Sequence, residues 1–432
     1  MSNRKLITDA ELEKLQHESF NYFLHETNPV NGLVIDKTAV DWPVSIAATG
    51  LALASYPVAV ERGFMPRAAA VERTLTTLRF FWDSPQGPEP DATGYRGFFY
   101  HFLDMQTGRR AWQCELSMVD STFLLAGALT AGIYFNADTS DELEIRTLAD
   151  ALYRRADWQW AQNRGATVTH GWKPEGGFLK YRWQGYDEAL LLYILGLGSP
   201  AHPLPESSYA AWASTYRWEH IYGFEYLFAG PLFIHQLSHI WIDFRGIQDV
   251  FMREKGIDYF ENSRRATCVQ QQYAMDNPLK FAGYGRCCWG ITASDGPGPH
   301  KIKVNGIKRQ FFNYLGRGVP YGPDDGTLAP WAVVASLPFA PEIVLPAIDY
   351  CINQVKLTEL NPYGFKATYN PTYPVKSNNP SGWVSPWHYG LNQGSIILMI
   401  ENYRTGLLWR LMRDCPYITS GLQRAGFSGG WL

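Results

Sequence analysis

Apolar side chains recur at spacings of three and four along most of the chain, the pattern of amphipathic helices. After Thr8 or Asp9 as a cap, Leu12, Leu15, Phe20, Phe23 and Leu24 fall on one face. Residues 45–63 are apolar almost throughout, with Pro57 as a point of kinking and Gly63 as the stop. Residues 66–84 start on Pro66, so the two segments predict an antiparallel helix hairpin. The spacing returns at 117–134, 140–162, 186–196, 207–221, 230–243, 246–275, 327–336, 340–355, 391–403 and 404–413, about a dozen helices in all. Between them lie glycine- and aromatic-rich loops at 85–115, 164–186, 283–300, 312–326 and 361–390, with short strands expected at 98–103 and 178–183. Loops this long inside a compact domain usually carry function. Helix hairpins without βαβ units predict an all-α fold, and a dozen of them an (α/α)6 toroid with the loops at one end. A solenoid is the alternative, but no fixed repeat supports it. No Ser/Pro/Gly linker divides the chain, so residues 1–432 read as a single domain.

Charge narrows the partners. Against 41 Asp+Glu stand 38 Lys+Arg, a net −3, which leaves no basic field for nucleic acid. With 46% apolar and 18% charged residues the chain buries a large core, which excludes global disorder. The six cysteines form no CxxC pair and no Cys/His ligand spacing, so reduced, buried thiols are expected rather than a disulfide framework. No run approaches 18 apolar residues, so no membrane span is expected. The N-terminus lacks an apolar signal core; as written it reads as cytoplasmic, and as periplasmic if a signal has been removed.

Cofactor signatures are weak. GLGSPA at 196–201 follows an apolar run that reads as a helix, not the strand a dinucleotide fold requires. HQLSHIWID places His235, His239 and Asp243 on one helical stripe, but Gln236 stands where a zinc protease has its glutamate. Neither a metal nor a cofactor is expected. The abnormal quantity is aromatic content, 16 Trp, 25 Tyr and 23 Phe, or 15%. That exceeds what a core needs, and Trp and Tyr also line sugar clefts.

The carboxylates gather in the aromatic loops. Residues 95–127 offer Asp104 among Phe98, Phe99, Tyr100, His101 and Phe102, then Glu115 just before a helix and Asp120 in its first turn. Each has a plain reading as well, a turn aspartate for Asp104 and helix-start acids for the others. Glu188 follows Trp183 and Tyr186 at a helix start, where the helix dipole lowers a carboxyl pKa and aromatic burial raises it. Asp295 sits in SDGPG near Trp289, Asp324 and Asp325 precede a helix as caps, and 383–409 brings Trp387, Asn392 and a buried Glu401 beside Arg404. Acids among Trp, Tyr and Asn fit glycoside hydrolysis, in which one carboxyl donates a proton and another activates water or attacks.

The segments GFFYHFLDMQTGRRAW (97–112), CELSMVDSTFLLAG (114–127), YDEALLLYILGLGSPAHPL (186–204), HQLSHIWIDFRGIQD (235–249), WGITASDGPGP (289–299), DDGTLAPWAVVASLPFAPE (324–342) and LNQGSIILMIENYRTGLLW (391–409) resemble the glucoamylase-like, or glycoamylase-like, domain family, which includes the glycoside hydrolase family 144 β-1,2-glucanases. The resemblance runs from about residue 33 to 413. It implies an (α/α)6 toroid, cleavage of β-1,2-linked glucan with inversion, and Glu188 as general acid. The base is placed in the 104–120 segment or at Asp295, which leaves Asp104, Glu115 and Asp120 as catalytic candidates. Substrate contacts are expected from Asp295, Trp289, Trp183, Tyr186, His101, His202, Arg96, Trp387 and Asn392. Cys114 and Trp331 depart from the expected smaller or more polar residues. Related members make a non-hydrolytic, chain-length-controlling or transglycosylating glucan module the alternative; a polysaccharide lyase fits poorly with acid-rich loops. The expected partner is an oligo- or polysaccharide, and an acid-side pH optimum is expected from a proton donor whose pKa lies above the ordinary carboxyl value.

Overall fold

The computed structural model describes residues 7–359, 361–376 and 380–432; the first residues of the N-terminal segment and part of the 361–390 loop lie outside them. Fifteen α-helices and only short strands of two to five residues make the described chain all-α. Its contacts group into two units, Met1–Tyr22, Arg217–Leu237 and Phe260–Arg404 in one, and Phe23–Tyr216, Ser238–Tyr259 and Thr405–Leu432 in the other.

The second unit is built on helices that are apolar on every side and buried on every side. Ile46–Glu61 and Met118–Tyr134 pack so closely that a Cβ on Gly127 would lie 1.9 Å from the Gly50 carbonyl oxygen. A Cβ on Gly50 would lie 2.4 Å from Phe123 O. Leu190–Gly198 and Pro416–Arg424 meet in the same way, Gly421 against the Ile194 carbonyl. Beside these helices runs a five-stranded antiparallel sheet in the order Gly94–Tyr95, Phe98–Tyr100, Leu116–Ser117, Gly171–Lys173, Gly177–Phe178. Val44–Ser45 pairs separately with Phe102–Leu103. Ser45 and Ser117 each end a strand and cap the helix that follows, so strand and helix starts converge at one edge.

In the first unit Thr8 caps Asp9–His25 through a reciprocal pair with Glu11. Gln16 donates to Ile397 O and to the buried Glu401, and Arg404 pairs with Asp9 and Glu13 and donates to Gln16 Oε1. Asp325 is no simple cap: it forms a fully buried ion pair with Arg317. Asp324 accepts from the Tyr273 and Tyr284 hydroxyls.

Several expected helices break where side chains compete for backbone groups. Segment 230–243 holds two 3-10 turns, Leu232–His235 and Leu237–Ile240. Gln236 donates to Ala332 O and Ser336 Oγ instead of pointing to water, and Asp243 pairs with Arg245, so His235, His239 and Asp243 share no helical stripe. Segment 246–275 divides at Gly256, which takes a left-handed φ of 70° as the cap of Val250–Lys255. Segment 207–221 is helical only at Glu206–Ala213 and then enters the hairpin Trp218–Ile221/Phe224–Leu227. Among the described residues no helix is long and apolar enough to cross a membrane.

Candidate active site

The sheet edge of the second unit assembles four acids around one histidine. Ser117 and Asp120 form a reciprocal cap: Asp120 N–H donates to Ser117 Oγ at 3.2 Å, and Ser117 Oγ–H donates to Asp120 Oδ2 at 2.5 Å. The helix-start reading of Asp120 therefore holds, and the same carboxylate lies 3.6 Å from His101 Nε2. The other ring nitrogen, Nδ1, is 2.9 Å from Glu115 Oε1. Strand pairing of Phe98–Tyr100 with Leu116–Ser117 fixes this register, continued by the His101 N–H bonded to Glu115 O at 3.0 Å. His101 is thus clasped between two carboxylates, with Asp36 as a third nearby charge. Burial alone would lower its pKa, but Asp120, Glu115 and Asp36 outweigh it and raise it to about 9. At neutral pH the ring is an imidazolium. Burial raises Glu115 in turn, but His101 and Lys173 bring it to a net position below its usual range, so it is ionised. Asp36, half-buried and accepting from Trp42 Nε1 at 3.0 Å, is raised by desolvation to about 6.

Glu188 stands apart in its chemistry. It lies in the turn just before Leu190–Gly198, with Ala189 as N-cap, rather than inside the first helical turn. Its neighbour Asp187 accepts from Ala189 N–H at 3.0 Å and Trp212 Nε1–H at 3.1 Å. Glu188 accepts no hydrogen bond from any described residue. It keeps some solvent contact yet is deeply surrounded by protein. Burial, then the charges of Asp120 and Asp187, raise its pKa to about 8, with His101 offsetting part. With no donor to hold an anion, the carboxyl is neutral at pH 7. Asp187, half-buried and hydrogen-bonded, is raised by desolvation to about 7.

Of the residues expected from sequence, Glu115, Asp120, His101 and Glu188 come together. Trp183 and Tyr186 are buried in the same unit, Trp183 stacked on His170 at 3.9 Å and Tyr186 against Tyr216 and Tyr259. Asp104 does not join them. Its Oδ1 accepts from Gln106 N, Thr107 N and Thr107 Oγ1 in an exposed turn, which holds its carboxyl low. Arg96 lies 3.7 Å from Asp157, and His202 is an exposed loop residue. Asp295, Trp289, Trp387 and Asn392 belong to the other unit. There Ser385 Oγ bonds both Asp295 Oδ2 and the Trp387 N–H, Trp289 is 1% exposed, and Asn392 is buried on Gly390–Arg404. Trp331, one of the departures noted in the sequence, is core. Sequence reasoning passed over Asp36 and Asp187. An aspartate set directly after Val34–Ile35, six residues before Trp42, was the available signal for Asp36.

The glycoamylase family, described as "putative glucoamylase", matches residues 180–416, more than half of the chain. The chain belongs to this family. Glycoamylase-family proteins of solved structure superpose over nearly its whole length. A protein of the same description from Bacteroides uniformis is 31% identical, with a TM-score of 0.86 over 99% of this chain and 100% of that one. An endo-β-1,2-glucanase from Chitinophaga pinensis, solved with sophorotriose and glucose, is 25% identical, with a TM-score of 0.86 over 99% and 100%. A curated relative, an exo β-1,2-glucooligosaccharide sophorohydrolase acting at the non-reducing end, from Parabacteroides distasonis, is 28% identical across 97% of this chain. The chain spans 58% of that relative's length.

Proposed function

We propose that this chain is a hydrolase of β-1,2-linked glucan, folded as a single (α/α)6 toroid, with Glu188 as general acid and Asp120 as general base. The observation that carries the reading is Glu188: a carboxyl raised to about 8, without a hydrogen-bond donor from any described residue, beside Asp120 and Asp187. A general acid must hold its proton at working pH, and burial plus like charge is how proteins keep one. Asp120 Oδ2 is occupied by Ser117 and His101, while Oδ1 accepts no hydrogen bond from a described residue, which leaves one oxygen for a water. Glu115 holds the His101 imidazolium, whose other ring nitrogen faces Asp120 Oδ2 at 3.6 Å.

In the reaction Glu188 gives its proton to the glycosidic oxygen as the bond to the anomeric carbon breaks. Asp120 takes a proton from the water that attacks that carbon from the opposite face. One product leaves with a new hydroxyl, the other with inverted configuration, and the proton returns from Asp120 to Glu188 through solvent. The His101 imidazolium, held between Glu115 and Asp120, offsets part of the negative charge around Glu188. The alkaline limb of the pH profile then falls near pH 8, so the optimum extends through neutrality instead of being confined to acid. The names of the two relatives cover internal cutting and sophorose release; both use β-1,2 linkages.

The test is incubation with linear β-1,2-glucan beside β-1,3-, β-1,4- and α-1,4-glucans, following reducing ends and product length. Short sophoro-oligosaccharides from the β-1,2 polymer alone are expected. No reducing ends from β-1,2-glucan, or faster release from α-1,4-glucan, would overturn the proposal.

A further inference from the structure

Close to the acid cluster the chain makes a turn that its residues disfavour. Trp112 and Gln113 both take left-handed φ values, 52° and 51°, and Cys114 N–H closes the turn onto Ala111 O at 3.0 Å. Turns with two consecutive positive φ values favour Asn-Gly, and a bulky aromatic there is strained. The strain is not relieved by burial of the indole, because Trp112 is 57% exposed. It is imposed from behind. Arg110, its side chain only 1% exposed, donates to Cys114 O and Gln113 O and pairs with Glu175 at 2.6 Å, while Cys114 Sγ bonds the Phe102 backbone. A fold that spends strain and a buried arginine to hold a tryptophan in water is presenting that ring to something.

What surrounds Trp112 defines the occupant. Trp42, with Lys37 Nζ over its ring at 3.8 Å, meets it at 4.7 Å and 76°, so the two indoles form an aromatic corner. Trp42 donates to Asp36 Oδ2, and Asp36 Oδ1 accepts no hydrogen bond from a described residue. Phe102 packs on Trp112 at 5.3 Å and stacks on His101 at 4.0 Å, so two ring-to-ring steps separate the corner from the imidazolium between Glu115 and Asp120. An aromatic face for sugar C–H groups, beside a carboxylate for sugar hydroxyls, is the chemistry of a pyranose subsite.

We propose that Trp112, backed by Trp42 and Asp36, is the platform of a glucose-binding subsite beside the scissile linkage. The assignment rests on the glucan-hydrolase reading for its ligand, and it adds the residue that sets affinity on this side of the bond. Because the corner is so close to the acids, it contacts a sugar of even a short oligosaccharide.

Two measurements separate this assignment from the catalytic one. The first compares wild-type, Trp112→Ala and Trp112→Tyr in steady-state cleavage of a β-1,2-linked gluco-oligosaccharide of about five units. The expected result is KM raised about tenfold or more in Trp112→Ala with kcat within about threefold, and most of the loss recovered by Trp112→Tyr, since Tyr keeps a stacking face. Melting midpoints should stay within about 2 °C, as befits an exposed ring. The second is calorimetric binding of the same oligosaccharide to Glu188→Gln and to Glu188→Gln/Trp112→Ala, which needs no turnover; Kd should rise by a similar factor. Unchanged KM and Kd in Trp112→Ala, or equal losses in the Ala and Tyr variants, would overturn the platform while leaving hydrolysis intact. Trp112-dependent binding without any release of reducing ends would sink the catalytic reading and leave the platform standing. No binding of β-1,2-glucan by the wild-type chain would remove both.

Discussion

Replacing Glu188 by Gln removes a carboxyl that the folded chain keeps protonated at some expense. Its folded pKa of about 8 lies above the usual 4.5. Between those two values the folded state binds more protons at this site than the unfolded chain, so stability falls as pH rises through the window. At pH 7 the linkage amounts to about 3 kcal/mol if the full shift operates, and it approaches about 5 kcal/mol above pH 8. Glu188 keeps some contact with water and shares its charge field with Asp120 and Asp187, so about 1–3 kcal/mol at pH 7 is the working expectation. Gln is as poorly hydrogen-bonded in this position as Glu, but that cost of about 1 kcal/mol is the same at every pH. The signature is therefore the slope. Urea unfolding of wild-type and Glu188→Gln at pH 5, 6, 7 and 8 should give midpoints close together at pH 5 and increasingly higher for the variant toward pH 8. Parallel curves across that range, or a variant that loses ground as pH rises, would refute the assignment of a raised pKa to Glu188. A variant more stable yet inactive is the expected pattern for a strained functional site.

Two further outcomes follow from the same geometry. His101→Gln removes the cation that partly lowers Glu188, so the alkaline limb of kcat/KM should move above its wild-type position near pH 8; a limb that stays or moves down would contradict the clasped-histidine arrangement. Gly127→Ala inserts a Cβ at 1.9 Å from Gly50 O between two buried helices, and should lower stability by at least about 2 kcal/mol in urea unfolding, whereas a wild-type midpoint would show that the helices separate freely.

How much of this was written locally is uneven for physical reasons. Ile46–Glu61 and Met118–Tyr134 were legible because a helix buried on every side needs apolar residues on every side. Ser117-x-x-Asp120 reads as a helix start, and Glu188 as an acid placed at the mouth of an apolar run. The clasp around His101 was not legible, since it depends on strand register between residues 101 and 115 and on the pairing Val44↔Leu103 that carries the 35–44 loop, and Asp36 with it, toward the ring. The helix expected at 230–243 failed because Gln236 takes distant backbone and hydroxyl partners that periodicity does not encode. Pro416–Arg424 was missed for its shortness, and is held by Gly421 packing on Ile194. Asp104, read beside Glu115 as a catalytic candidate, sits in the DMQTG turn that was its plain alternative.

The central claim is that Glu188 supplies the proton to the leaving sugar. It is tested most directly by comparing Glu188→Gln with wild-type on two substrates: a β-1,2-linked gluco-oligosaccharide, whose leaving group needs a proton, and the matching 2,4-dinitrophenyl glycoside, whose leaving group does not. The account predicts a loss of at least about 10²-fold in kcat on the first and near wild-type turnover on the second. Equal losses on both substrates, or near-normal cleavage of the oligosaccharide, would contradict it.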